Sequence, residues 1–275
     1  MRIDSHQHFW KVERGDYDWM SPDFEVLYRD YLPEDLLPQI DAHQIDRTVL
    51  VQAAQTVAET EFILGLAEGN DRIAGVVGWL DMEADDFEAQ LARYRANPKL
   101  VGIRPVIHDI SDDSWMIRPK VLNSLKHLAD QDFPFDFLTY SRHLPYVIQV
   151  LEEVPDLRAI MDHISKPEIK AGNMAPWQEL MSEVASHPNV YCKISGMITE
   201  ADHDSWSFID VIPYMRHVCD SFGHERIVYG SDWPVCLLAG SYDEVIGLAE
   251  QFSANWSEEE QRKFFGDNAR AFYKL

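Results

Sequence analysis

The sequence predicts an α/β fold, a closed (β/α)8 TIM barrel that forms one domain over residues 1–275. Short apolar runs rich in β-branched residues alternate with longer helical patterns along the whole chain, which indicates a parallel sheet covered by helices. The length of 275 residues is close to the ~250 residues typical of a barrel with eight such units. No GxGxxG motif follows the first predicted strand, so no open dinucleotide-binding sheet and no organic cofactor are expected.

The predicted strands share apolar, β-branched cores and lie at residues 2–8, 47–52, 73–80, 100–104, 134–138, 157–163, 190–195 and 226–231. The predicted helices share an apolar spacing of three or four residues and lie at residues 34–43, 59–70, 86–97, 117–131, 144–153, 177–187, 208–222 and 242–252. A last helix is predicted over residues 257–273, because Ser257 followed three residues later by Glu260 is typical of a capping box.

Composition and charge restrict the partners that this chain can bind. The net charge is −23, from 24 Lys and Arg against 47 Asp and Glu, and such a surface repels nucleic acid and anionic lipid. The three cysteines lie in no zinc-ribbon or CxxC spacing, and the first residues carry no apolar signal-peptide core. We therefore expect a cytoplasmic protein with a small-molecule ligand, no nucleic acid and no membrane. A homo-oligomer is compatible with this surface.

Polar side chains follow the predicted strands at their carboxyl ends, where barrels of this kind place the active site. His6 and His8 end the first strand and point to the same face, which suits a divalent metal such as zinc. Asp232 follows the eighth strand, where a carboxylate binds a metal or takes a proton from attacking water. The structural alternatives are an exposed strand for the histidines and an Asx-turn before proline for Asp232.

Three further strands end in candidate residues. His163 ends the sixth strand and is either a metal ligand, a hydrogen-bond partner of a substrate carbonyl or a structural histidine. Arg104 and Lys193 end the fourth and seventh strands, where each stabilises an oxyanion or forms a buried ion pair with a carboxylate such as Asp136. Trp10 either packs on a sugar ring or packs within the barrel top. Weaker candidates on nearby loops are Lys166, His108, His143, His203 and Trp206.

Five stretches carry a resemblance to a known family, at residues 3–10 (IDSHQHFW), 100–105 (LVGIRP), 161–167 (MDHISKP), 191–196 (YCKISG) and 229–234 (YGSDWP). They resemble the amidohydrolase-related sugar lactonases, the L-fuconolactonase and L-rhamnonolactonase-like group. The resemblance implies that His6 and His8 are metal or substrate ligands, that His163 is the sixth-strand histidine, and that Asp232 is the catalytic carboxylate. Arg104 and Asp136 stand where metal-dependent relatives carry a bridging lysine or glutamate and a histidine, which favours a mononuclear or metal-free site.

The resemblance implies a hydrolase that opens a sugar lactone to the hydroxy acid by attack of water. In this hypothesis Asp232 is the general acid and base, and His163 assists it. Ligand contacts are expected from His6, His8, Arg104, Lys193 and Trp10, and the candidate metal ligands are His6, His8 and Asp232. The alternatives are a decarboxylase of an unsaturated acid, a metal-dependent hydrolase of another cyclic ester or amide, and a barrel that binds a sugar acid without turnover.

Overall fold

Eight parallel strands form a nearly closed barrel in a computed structural model that describes residues 1–275, which confirms the predicted fold. The strands, numbered β1 to β8, are Ile3–Gln7, Arg47–Val51, Ile73–Gly78, Leu100–Ile103, Phe135–Phe137, Ala159–Met161, Val190–Ile194 and Ile227–Tyr229. They pair in sequence order from β1 to β8. The seam between β8 and β1 is closed by a bridge between Gln7 and Trp233 and by the His8 amide, which donates to the Trp233 carbonyl over 2.7 Å.

The helices lie outside the strands and bury their apolar stripes against them. They are numbered α1 to α10 and span Pro33–Ala42, Val57–Glu68, Phe87–Arg95, Pro119–Asp130, Leu144–Glu153, Trp177–Ala185, Phe208–Phe222, Tyr242–Ser253, Glu258–Arg262 and Asn268–Tyr273. The predicted capping box is present, since Ser257 accepts from the Glu260 amide and the Glu260 carboxylate accepts from Ser257. The single helix predicted over residues 257–273 is instead divided, because a π-helical turn, Lys263–Asp267, separates α9 from α10. No helix is long and apolar enough to cross a membrane.

The inside of the barrel has its own apolar layer, which is closed from below by the C-terminal helix. Val49, Val77 and Val228 point inward from their strands and pack with Phe272 and Tyr273 of α10. Gly75 on β3 leaves room for this packing, because a Cβ atom there would stand 2.6 Å from Val101 Cγ2. The C-terminal helix therefore belongs to the barrel core and touches the layer directly beneath the strand ends.

Tyr273 also makes a polar contact inside this layer. Its hydroxyl donates to Asp136 Oδ2 over 2.6 Å, and both residues are buried. We expect Y273F to lower the free energy of unfolding by about 1–3 kcal/mol, because the buried carboxylate loses a donor while the ring is kept. Chemical denaturation measures this change. The control is Y191F, whose ring packs on Phe272, and an equal effect in both variants would contradict a specific role for the Tyr273 hydroxyl.

Candidate active site

A cavity of about 290 Å³ opens at the carboxyl ends of the strands, where the sequence predicts the site. Five of the predicted residues line it, namely His8, Trp10, Arg104, His163 and Asp232. The rest of its wall is largely apolar. Of the weaker candidates, Lys166 and His108 line the cavity, whereas His143, His203 and Trp206 do not.

One carboxylate oxygen faces three imidazoles at the floor of the cavity. Asp232 Oδ1 lies 3.3 Å from His8 Nε2, 3.7 Å from His163 Nε2 and 3.8 Å from His6 Nε2. The two histidines of β1 also touch, with 3.2 Å between their Nε2 atoms. All four side chains are buried. The structure therefore brings together the residues that end strands β1, β6 and β8, as the sequence predicts.

The backbone at Asp232 holds its carboxylate against the β1 histidines. Asp232 has a φ of +57°, a left-handed conformation that costs a non-glycine residue about 1–2 kcal/mol. Its amide donates to the His6 carbonyl over 2.8 Å. The buried carboxylate of Asp4 joins the same two strands, because it accepts from the amides of Ser231 and His6 over 2.8 and 3.2 Å. Hydrogen bonds across the closing seam thus fix the position of Asp232.

A left-handed turn follows β6 and carries two residues that line the cavity. His163, Ile164, Ser165 and Lys166 have φ values of +52°, +49°, +58° and +45°, although none of them is glycine. Strained segments of this kind persist only where surrounding contacts determine them, and such segments cluster at functional sites. Buried hydrogen bonds hold this turn: one joins the hydroxyls of Thr139 and Ser165, and one joins His163 and Ser195. The Trp177 indole donates to the Ile164 carbonyl.

Gly196 permits the position of His163. A Cβ atom added at Gly196 would stand 2.6 Å from His163 Nδ1, and this glycine has a φ of +62°. The His163 ring therefore lies where only a glycine leaves space, with its Nδ1 2.8 Å from Ser195 Oγ. Any larger residue at position 196 displaces the ring from Asp232.

Beneath the histidines lies a buried cluster of charges, which we call the inner ion cluster: Lys193, Asp136, Asp162 and Arg104. Lys193 Nζ lies 2.6 Å from Asp136 Oδ2 and 2.8 Å from Asp162 Oδ1, and Arg104 Nη1 lies 3.2 Å from Asp162 Oδ2. Lys193 is completely buried and does not line the cavity. The structure therefore places Lys193 in the ion-pair alternative and not in the predicted direct contact with a ligand.

His6 lies between this cluster and the cavity residues. Lys193 Nζ is 3.1 Å from His6 Nδ1, and Arg104 Nη1 is 3.3 Å from His6 Nε2. Both cations can only donate, whereas a neutral imidazole accepts at one nitrogen. The shorter contact, from Lys193, favours Nδ1 as the acceptor, with the His6 proton on Nε2. His8 Nδ1 donates to the Val51 carbonyl over 2.8 Å, which leaves His8 Nε2 to accept from His6. In this tautomer a chain of hydrogen bonds runs from Lys193 through both histidines, and His6 does not line the cavity.

The electrostatic surroundings set the charges of these groups. Burial lowers the pKa of His6 and of His163 well below 6.5, so both imidazoles are neutral at neutral pH. Burial alone raises the pKa of Asp232, but His163, His8 and Lys166 outweigh it and the pKa falls below 3.8. Asp232 is thus an ionised carboxylate beside the neutral imidazoles of His6 and His163, which is the state a general base needs.

Asp232, His6 and His8 fit one divalent metal ion in geometry. Their nearest ligand atoms are 3.2 to 3.8 Å apart, close to the ~3.3 Å between ligands of a tetrahedral zinc ion with bonds of ~2.0 Å. The bond from His8 to Val51 also presents Nε2 as a ligand. Binding requires that His6 move its proton to Nδ1, where Asp162 Oδ1 lies 3.4 Å away. A second ion has no place between Asp136 and Asp162, because the Lys193 ammonium occupies that position.

An aromatic loop after β1 forms one wall of the cavity, and a buried carboxylate anchors it. Trp10 and Trp19 line the cavity, and the Trp19 indole donates to the Ala53 carbonyl over 2.8 Å. Glu59 of α2 accepts from the Tyr17 hydroxyl over 2.9 Å and from the Ala53 amide over 3.0 Å. The sequence places Glu59 in a helix and offers no signal that this residue is buried, so its role was missed.

Comparison with known proteins agrees with this geometry. The sequence profile of a family described as amidohydrolase matches residues 3–275. An L-fucono-1,5-lactonase of Burkholderia ambifaria is 38% identical over 278 residues, covering 100% of this chain and 96% of that protein. An L-fucono-1,5-lactonase of Burkholderia multivorans is 36% identical, with the same coverage. The crystal structure of an amidohydrolase from Burkholderia multivorans with bound zinc has a TM-score of 0.95 at 36% identity and covers 100% of this chain and 99% of that one. The resemblance found in the sequence is confirmed.

The hydrogen-bond chain predicts the tautomers of the β1 histidines. We expect His8 to carry its proton on Nδ1, because the Val51 carbonyl can only accept. We expect His6 to carry its proton on Nε2, because Lys193 lies closer to Nδ1, at 3.1 Å, than Arg104 lies to Nε2, at 3.3 Å. Long-range ¹H–¹⁵N correlation spectra of metal-free protein report the protonated ring nitrogen directly. The variants H6Q and H8Q assign the two signals, and a His6 ring protonated on Nδ1 would overturn the direction of the chain.

Glu59 predicts a pH dependence of stability. Burial raises the pKa of Glu59 from 4.5 to about 7, so its stabilising contribution is complete below pH 4.5 and is lost as the pH rises through 7. The free energy of unfolding of the natural protein should fall between pH 5 and 8 as Glu59 ionises. We expect the free energy of unfolding of E59Q, which stays neutral at this position, to fall by about 2 kcal/mol less over the same range. Denaturation at both pH values measures this, with the exposed E179Q as control. Parallel losses in E59Q and the natural protein would show that Glu59 does not titrate there.

Proposed function

The chain belongs to the amidohydrolase family, and from that premise we propose that it is a lactonase that opens a sugar lactone such as L-fucono-1,5-lactone. The observation that carries the proposal is the ionised Asp232 carboxylate at the cavity floor, in a lining that also holds the neutral imidazole of His163 and the Arg104 side chain. A carboxylate in this setting takes a proton from water next to a polarised carbonyl. The relatives named L-fucono-1,5-lactonase over the whole length support this substrate class.

The charge of the cavity favours a neutral ligand. Two cations, Arg104 and Lys166, and two carboxylates, Asp109 and Asp232, line it, so its formal charge is zero with histidines neutral. A lactone is uncharged, whereas the substrate of a decarboxylase is an anion that this balanced lining does not attract. The volume of about 290 Å³ accommodates a monosaccharide with its water molecules. Trp10 and Trp19 offer flat faces for the CH groups of the ring.

In the proposed mechanism Asp232 activates the water that attacks the lactone carbonyl. The carboxylate takes one proton from the water as its oxygen bonds to the carbonyl carbon. Arg104 and the Nε2 edge of His163 stabilise the tetrahedral oxyanion, since fixed donors in a buried site are worth a few kcal/mol each. His163 presents a proton on Nε2 when Ser195 donates to its Nδ1. Asp232 then returns the proton to the ring oxygen as the C–O bond breaks, which yields the hydroxy acid.

His6, His8 and Asp232 would hold a divalent ion such as zinc if one is bound. Such an ion supplies Lewis-acid polarisation of the carbonyl and lowers the pKa of water. The roles of Arg104 and His163 do not depend on it, because both line the cavity with their own donors.

Hydrolysis of a lactone panel, followed with a pH indicator with and without chelator, tests the function. We expect acid release from a stereochemical subset of aldonolactones and a loss of about 10²- to 10⁴-fold in kcat for D232N, because the general base is removed while size is kept. The matched control is D202N, an aspartate paired with Lys170 outside the cavity. Normal turnover by D232N would refute its role. No release from any lactone, with zinc restored, would refute the function in favour of a cyclic amide or a decarboxylation substrate.

A further inference from the structure

We propose that Lys166 and Asp109 form a subsite for the ring hydroxyl groups of the ligand, and that this pair selects among sugar lactones. This inference rests on the proposed function and deepens it. The two residues line the cavity together with the catalytic group Asp232, but neither belongs to the cluster of Asp232 and the histidines. Their chemistry is that of hydroxyl recognition, in which one group donates and the other accepts.

Lys166 has hydrogen-bonding capacity that the protein does not use. Its ammonium contacts one acceptor, Glu200 Oε1 at 2.8 Å, and its side chain is only 15% exposed. An ammonium group has three donors, so two of them have no acceptor from the protein. Leaving donors of a largely buried charge without partners is costly, and the cost is relieved when a ligand in the cavity supplies oxygen atoms.

The backbone holds Lys166 rigidly relative to the reacting group. Lys166 lies three residues after His163 in the left-handed turn, and its amide donates to the His163 carbonyl over 2.8 Å. The ion pair with Glu200 and the Tyr140 ring, 5.7 Å from Nζ, hold the side chain from two sides. A ligand bound to Lys166 is therefore oriented relative to His163, which is how remote contacts position a substrate.

Asp109 provides the matching acceptor. Its carboxylate is about half exposed, and its Oδ1 lies 3.3 Å from His108 Nε2. Lys166 and Asp109 line the same cavity, and no ion pair joins them within 4.0 Å. Burial raises the pKa of Asp109, and Lys166 lowers it to a smaller extent. The two groups thus face one cavity without pairing with each other. A hydroxyl group both donates and accepts, so neighbouring hydroxyls of a sugar ring can bridge an ammonium and a carboxylate.

Binding and turnover with two probes test this subsite. The first probe is 1,5-anhydro-L-fucitol, which has ring hydroxyls and no carbonyl. Its inhibition constant is measured with L-fucono-1,5-lactone as the substrate. We expect K166M and D109N to weaken its binding roughly 10- to 100-fold, since hydrogen bonds to charged groups are lost. We expect K166R to restore part of the affinity. The control is K170M, a lysine of an exposed ion pair near the same loop.

The second probe is δ-valerolactone, which has the ester ring without hydroxyls. We expect K166M to lower kcat/KM for L-fucono-1,5-lactone at least 10-fold more than for δ-valerolactone, because only L-fucono-1,5-lactone has ring hydroxyls that contact the subsite. Equal losses on both lactones, or unchanged binding of the anhydro sugar, would overturn the subsite while leaving the lactonase function intact. If the natural protein releases acid from no lactone of the panel, the proposed function itself fails, and the two failures are thereby distinguished.

Discussion

The buried ammonium of Lys193 between Asp136 and Asp162 is the interaction on which the rest of the site depends. Removing one partner from a buried ion pair costs about 3–5 kcal/mol, because an uncompensated charge remains without water. The same ammonium lies 3.1 Å from His6 Nδ1 and favours that nitrogen as the hydrogen-bond acceptor. On its other side Asp136 accepts from Tyr273 of the C-terminal helix. The barrel core and the active site therefore share one set of charges, and neither can change without the other.

Above this inner layer, strain and hydrogen bonds hold the cavity residues in place. Asp232 and the turn from His163 to Lys166 adopt left-handed conformations that an isolated chain avoids. The surrounding strands offset that cost by closing the seam between β8 and β1 and by packing Gly196 against His163. A site fixed in this way loses little entropy when a ligand binds, and its donors are already aimed where charge develops during reaction.

The sequence was sufficient to predict the order of strands and helices and the residues at the strand ends, because both follow from local apolar periodicity. It was not sufficient to predict how far below the cavity a side chain inside the barrel lies. Alternation on β7 places Lys193 inside the barrel, but it cannot tell whether the ammonium reaches the cavity or an ion pair below His6. The left-handed turn was also unpredictable, since no glycine in residues 163–166 signals it. Glu59 is buried by a loop distant in sequence, and such tertiary contacts leave no mark on helical periodicity.

The proton on His6 connects the inner ion cluster to metal binding. Asp232 and His8 present acceptor atoms, whereas His6, with its proton on Nε2, becomes a ligand only when that proton moves to Nδ1. That move replaces the hydrogen bond from Lys193 by one to Asp162, at 3.4 Å. The ammonium must then be satisfied by the two carboxylates alone. A metal at this site therefore competes with a hydrogen-bond chain that the fold already maintains, and Lys193 opposes binding of the ion through its contact with His6.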